Sequence, residues 1–170
     1  MLLARRRGAV EQRIDGRGKL APGGDRRAAL AMAEAQVAQG HAVLLTTHDL
    51  GAAYEICDRI TVMYGGQEVE TAPVASFFGA PTHPYTAKLL ASLPSASGGM
   101  VGIPGDVPNF YAPPPGCRFA PRCERASAAC AVRPAPVVRA EGHRVRCVRP
   151  LSDAVLSDAN PYNAALEPAR

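Results

Sequence analysis

Four cysteines, Cys117, Cys123, Cys130 and Cys147, follow one another with the spacing C-x5-C-x6-C-x16-C. Four thiolates held at fixed places can close a tetrahedral site. Zinc sites favour tighter C-x2–4-C pairs, whereas a cubane iron–sulfur cluster takes four cysteines and tolerates wider spacing. The same residues also suit reduced structural thiols, or two disulfides in an oxidising setting. A [4Fe–4S] cluster, zinc and bare thiols therefore stay open, with the same four candidate ligands in each case. The other chemistry-bearing candidate is His48, which ends the apolar run Ala42-Val-Leu-Leu-Thr-Thr47. In α/β proteins the carboxyl ends of strands meet ligands. A histidine there can donate to a phosphate oxygen and relay the position of that phosphate to a neighbouring subunit. It can equally cap the next helix or sit satisfied in the core.

The elements around these residues follow the α/β pattern of helix, strand, ligand-facing turn and helix. Asp25 is a candidate N-cap for a helix over 26–39, stopped by Gly40, with Leu30, Ala33 and Val37 on one stripe. The run 42–47 suits a parallel strand covered on both faces. In such a sheet it needs neighbours, and an exposed apolar edge invites aggregation. A short helix over 49–57 carries Cys57, a small apolar residue by its setting. Arg59–Tyr64 and Gln67–Thr71 form two strands joined by the Gly65-Gly66 turn. Pro73 opens a short helix through Phe78 from the N1 position, and Pro84–Leu93 forms another helix. Ser95–Gly99 reads as a flexible linker. Residues 101–150 are proline-rich with little helical period, a small loop-rich module stapled by something other than a large core.

Composition narrows the classes of function. The chain has 170 residues, enough for one domain or one and a half, and 47% of them are hydrophobic. Its net charge of +4 comes almost wholly from scattered arginines, and aromatic residues make up only 5%. That disfavours nucleic-acid binding by base stacking. The first residues place charge after a short apolar run, the reverse of a signal peptide, and no run reaches the length of a membrane span. These features predict a cytoplasmic chain without its own span, and so free thiols or metal ligands rather than disulfides.

Thr46-Thr47-His48-Asp49-Leu50 with Ile56-Cys57-Asp58-Arg59-Ile60-Thr61-Val62-Met63-Tyr64-Gly65-Gly66 resembles the ABC ATPase family. More narrowly, it resembles the ATP-binding subunits of oligopeptide, dipeptide and nickel importers. His83-Pro-Tyr-Thr86 with Leu89-Leu-Ala-Ser-Leu-Pro94 is similar to a segment that follows the nucleotide domain there. In that segment His83 and Tyr85 read as packing or capping residues. Ile103-Pro-Gly-Asp-Val-Pro108, Pro115-Gly-Cys-Arg-Phe119, Pro121-Arg-Cys123, Cys130 and Gly142-His-Arg-Val-Arg-Cys147 resemble the C-terminal extension of the same importers. The resemblance, which spans residues ~28–150, implies that His48 is the switch histidine contacting the ATP γ-phosphate. It also implies that Cys117, Cys123, Cys130 and Cys147 hold a [4Fe–4S] cluster in some members. Arg118, Arg122, Arg144 and Arg146 would lie near the thiolates and help neutralise it, or equally be plain surface charges. The implied partners are a homologous ATPase subunit and two membrane permeases, docked from the cytosolic side.

Other parts of such an ATPase are not found in these residues. The Gly18-Lys19 pair has Arg13 and Leu20 where a P-loop requires Gly and Ser or Thr. No apolar strand ends in Asp-Glu as Walker B requires. Leu20–Arg27 only faintly resembles the family signature loop. The reading is therefore a partial nucleotide-binding domain plus a cysteine module, inactive as an ATPase alone. Its parts are an unstructured or out-of-frame leader at 1–24, a nucleotide-domain remnant at 25–94, the cysteine module at 95–150 and a flexible tail at 151–170. The alternatives are a stand-alone iron–sulfur or metal-binding module, or a non-functional gene remnant.

Overall fold

A computed structural model describes residues 2–6, 26–93, 102–109, 111–132, 134, 136–140 and 142–151. The expected cap at Asp25, the Gly18-Lys19 pair, the Ser95–Gly99 linker and the tail from 152 onward lie outside them. The protein is a small mixed α/β structure with antiparallel strand pairing. It divides into two compact units, Met1–Ile60 and Thr61–Arg170. The hairpin before the cysteine segment and that segment itself thus fall in one unit.

The first unit contains β1 (Leu2–Arg6), α1 (Arg26–Ala38), β2 (Val43–Thr47) and α2 (Leu50–Ile56). The helix α1 stops where expected. Gly40 takes φ 84°, the left-handed conformation that glycine adopts without penalty. Ala33 is buried on the expected stripe, while the flanking Met32 is 54% exposed. Two expectations are corrected here. Residues 2–6 are not without structure, because they form β1. The strand β2 is not parallel: it pairs antiparallel with β1, Leu2 opposite Thr47 and Arg6 opposite Val43. Nor is β2 covered on both faces. Leu44 is 69% exposed, and exposure alternates along the strand. A continuous apolar run does not distinguish a doubly covered strand from one with an open face.

β3 (Arg59–Tyr64) runs from the first unit into the second. Its alternation is regular, with Ile60, Val62 and Tyr64 buried. Gly65 and Gly66, at φ 55° and 80°, turn the chain into β4 (Gln67–Pro73). Both glycines are in the conformations that a two-residue I′ hairpin demands. α3 (Val74–Gly79) follows, with Pro73 as its N-cap rather than its first helical residue. Phe77 and Phe78 are fully buried and meet edge to face at 4.9 Å. α4 (Pro84–Ala91) starts with proline in the first turn, as expected.

The loop-rich segment then adds two strands that the sequence reading does not contain. β5 (Val137–Ala140) and β6 (His143–Val145) form a hairpin, and β6 pairs antiparallel with β4, Glu70 opposite Val145. The order in this unit is β3-β4-β6-β5. Strands of three and four residues carrying Val-Val-Arg-Ala and His-Arg-Val show too little alternation to be read as strands.

One buried carboxylate ties these pieces together. Glu70 on β4 is 1% exposed. Its Oε1 accepts from Thr82 N (2.8 Å), Thr82 Oγ1 (2.9 Å) and His143 Nε2 (2.7 Å). Its Oε2 accepts from His83 N at 2.8 Å. Burial acts to raise the Glu70 pKa, but the hydrogen bonds from His143, Thr82 and His83 outweigh it and leave the carboxyl below its ordinary range. Its stabilising contribution is therefore present above about pH 4.5 and is lost as pH falls through the folded value. Glu70→Gln must turn its one NH2 group toward either the Thr82 or the His83 backbone N–H, a donor in place of an acceptor. We expect it to lower the unfolding free energy at pH 7 by about 3 kcal/mol, measured by chemical denaturation. The gap from wild type should narrow below pH 4.5, and a loss under about 0.5 kcal/mol would contradict the assignment.

Candidate functional site

The four cysteines converge. Cys117, Cys123, Cys130 and Cys147 line a single recess, together with His83, Arg125 and Arg149 among others, with an empty volume, mouth included, of about 340 Å³. All four are free thiols. Residues 30 positions apart in sequence meet here because the backbone is pinned at several points. Cys117 N donates to Cys130 O at 2.9 Å. Gly116 lies so close to the same strand of chain that a Cβ there would come within 2.1 Å of Cys130 O and 2.5 Å of Ala131 C. Only glycine fits.

The hairpin does the anchoring. The buried Gln67 side chain donates from Nε2 to Gly116 O (2.9 Å) and accepts at Oε1 from Arg118 N (3.1 Å). One amide thus grips the peptide units on both sides of Cys117. Arg118 Nη1 donates to Gly65 O in the turn. Phe119, fully buried, packs against Tyr64 and Tyr85 at 5.2 Å each. Arg122 donates to the carbonyls of Pro104 (2.9 Å) and Ile103, and to Tyr64 Oη at 3.2 Å.

Three of the four sulfurs also face a backbone donor. Backbone N–H groups of Phe119 and Ala120 address Cys117, and that of Arg125 addresses Cys123. Arg149 N lies 3.4 Å from Cys147 Sγ, and Ser127 Oγ lies 3.9 Å from Cys130 Sγ. Such donors stabilise negative sulfur. Burial nevertheless pushes the thiols up, Cys117 and Cys123 above their ordinary value and Cys147 to about 11. Neighbouring sulfurs add to the rise in each case. Without a cation among them Cys117, Cys123 and Cys147 hold their protons at neutral pH, and ligation would release them. No three His, Cys, Asp or Glu side chains among the described residues come together tightly enough for one metal ion.

The arginines are placed differently from the expectation. Arg118 and Arg122 grip carbonyls, Arg146 grips Glu68 O (3.1 Å) and Pro134 O (2.8 Å), and Arg144 pairs with Glu68 at 3.5 Å. They fasten the segment, while Arg125 and Arg149 line the recess. His83 is the residue that sequence reasoning undervalued. It does cap α4, its Nδ1 accepting from Tyr85 N at 3.0 Å. It also lines the cysteine recess, 1% exposed, and burial holds its imidazole down to about 4. Pro84 after it signals a cap, and nothing local signals the sulfurs.

His48 belongs to the other unit. It follows β2 and is exposed. Asp49, not His48, caps α2, with Oδ1 accepting from Ala52 N at 3.0 Å. Neither the capping nor the core role describes His48. Cys57, at the end of α2, is buried as expected.

Residues 69–130 match the family model described as the oligopeptide/dipeptide transporter, C-terminal region. The match takes in β4, α3, α4 and three of the four cysteines. Among relatives, a Brucella abortus protein named for peptide import and ATP binding is 47% identical over 109 residues, 62% of this chain and 32% of that protein. The oligopeptide transport ATP-binding protein AppD of Bacillus subtilis is 47% identical over 109 residues, 62% of this chain and 33% of its own length. The dipeptide transport ATP-binding protein DppD of Escherichia coli is 42% identical over 125 residues, 71% of this chain and 38% of its own length. The chain thus matches the C-terminal region of ATP-binding proteins of peptide transport, and spans about a third of their length. No helix among the described residues is long and apolar enough to cross a membrane.

The raised thiols carry a test. In metal-free protein at pH 8, Cys147 should react with iodoacetamide roughly 100-fold more slowly than a cysteine in an unstructured peptide. Peptide mass spectrometry of a time course reads this, and equal rates would show that the sulfur is not buried as described.

Proposed function

We propose that this chain is the C-terminal portion of an ATP-binding protein that powers ABC-type peptide import, or nickel import by the same subfamily. The observation that carries this reading is its 42–47% identity to the C-terminal regions of peptide-transport ATP-binding proteins, from both Brucella and Bacillus. In this reading residues 25–94 are the end of a nucleotide-binding domain, 95–150 a cysteine module, 1–24 a leader and 151–170 a tail. ATP is the nucleotide. The partners are a homologous ATPase subunit and transmembrane permeases, with the chain at the cytoplasmic face of the membrane.

His48 is the proposed γ-phosphate contact. Its exposed position after β2 supports that role. One histidine donor cannot by itself run phosphoryl transfer, which depends on positioned phosphates, magnesium and a base. The P-loop and Walker B elements are not among these 170 residues. The isolated chain should therefore show no ATP turnover. Grafted in place of the matching C-terminal segment of Escherichia coli DppD, it should support ATP hydrolysis by the assembled transporter. His48→Ala in that graft should lower the rate roughly 100-fold, the size of losing one transition-state donor. Turnover by the isolated chain, or a graft indifferent to His48→Ala, would overturn the reading.

Cys117, Cys123, Cys130 and Cys147 are the proposed holders of a [4Fe–4S] cluster. Their shared recess and the backbone donors beside Cys117, Cys123 and Cys147 support this. Bound there, such a cluster would supply a covalent staple and a one-electron centre. Anaerobic purification should return about four irons and four sulfides per chain. Zinc or bare thiols instead would refute the cluster, leaving the transport reading intact. Loading with iron in a chain whose graft is inactive would favour a stand-alone iron–sulfur module.

A further inference from the structure

The recess contains one polar atom that nothing in the fold satisfies. His83 Nε2 is buried and has no hydrogen-bond partner. The other ring nitrogen is committed, because Nδ1 accepts the N–H of Tyr85 at 3.0 Å. An accepting Nδ1 carries no proton, so the neutral ring carries its proton on Nε2. The buried atom is therefore an N–H donor. Its ring cannot easily turn away. His83 N is bound to Glu70 Oε2 at 2.8 Å, Nδ1 is bound to the first turn of α4, and the ring packs against Phe119 at 6.1 Å.

A buried donor without an acceptor is costly, because its lost hydration is not replaced. The same ring lines the recess of the four cysteines. No cysteine sulfur is in hydrogen-bond geometry with this donor. A sulfide held within the recess would accept a charge-assisted bond from it, about twice as strong as a neutral one. A proton on Nε2 also means that His83 offers the recess a donor rather than a ligand lone pair.

We infer that His83 Nε2–H donates a hydrogen bond to a sulfur of the iron–sulfur centre held by Cys117, Cys123, Cys130 and Cys147, and thereby raises its reduction potential. The inference rests on the cluster reading above. It makes His83 a tuning residue of that centre. The physical reason is charge. A donor aimed at sulfur stabilises the more negative, reduced form, as hydrogen bonds to cluster sulfurs do generally.

The test uses the full chain, purified anaerobically, with iron and sulfide measured first and the potential then read by dithionite titration. His83→Asn keeps an oxygen to cap Tyr85 N but does not reach as far as Nε2. It should load iron as wild type does and favour the oxidised form about tenfold, a fall of about 59 mV for one electron. His83→Gln, whose amide extends to the Nε2 position, should recover much of that fall. A second measurement needs no variant. Reduced wild type carrying 15N-histidine should show a 15N hyperfine coupling to the electron spin. A loaded wild type with no such coupling, or a loaded His83→Asn with an unchanged potential, overturns the role of His83 and leaves the cluster standing. A wild type without iron and sulfide overturns both. Should His83→Asn fail to fold or load, the wild-type coupling alone decides.

Discussion

The second unit depends on a carboxylate that has no water to lean on. Glu70 is buried in the strand next to β6, and burying a charge without partners is prohibitive. Four donors from three places answer it: the loop before α4, the cap of α4 and β6. Because a half-satisfied buried charge is worse than none, these pieces must arrive together. Leu151 N closes the same corner by bonding to Thr82 O at 2.8 Å. Residues from 70 to 151 are thereby tied to one point.

That corner sets up the candidate site. His83 stands between the two. Its backbone N–H satisfies Glu70, while its ring reaches the cysteine recess. At the turn of the same hairpin, Gln67 holds the peptide units around Cys117 and Gly65 accepts from the Arg118 side chain. The hairpin is therefore more than a connector. It is the jig on which the cysteine segment is laid. Gly116 shows how close the fit is, since no side chain can be accommodated between it and Cys130.

The arginines illustrate how charge is spent in a loop-rich structure. A segment with little regular pairing leaves carbonyls without ladder partners, and buried carbonyls must find donors. Arg118 supplies one, to Gly65, while Arg122 and Arg146 supply two each, to Pro104 and Ile103 and to Glu68 and Pro134. The guanidinium's fork of donors suits this work better than an ammonium would. The near absence of lysine from the chain is consistent with that demand. By contrast, Lys88 pairs with Glu124 at the surface, where such a pair adds little.

Local elements were readable from the residues alone wherever a backbone rule acts within a few positions. Gly65-Gly66 had to turn, Ile60, Val62 and Tyr64 had to face one side, Pro84 had to open a helix, and Gly40 had to end one. The family resemblance, too, resides in short runs of sequence. What the residues could not disclose was every outcome set by contact across long separations. The pairing partner of β2, the strand hidden at 143–145, the carbonyls that Arg118, Arg122 and Arg146 hold, and the bond joining Glu70 to His143 are of this kind. The cysteines mark the division plainly. Their number and order are written in the chain, but four sulfurs meet in one recess because a distant glutamine, a tight glycine and a buried carboxylate fix the path of the backbone.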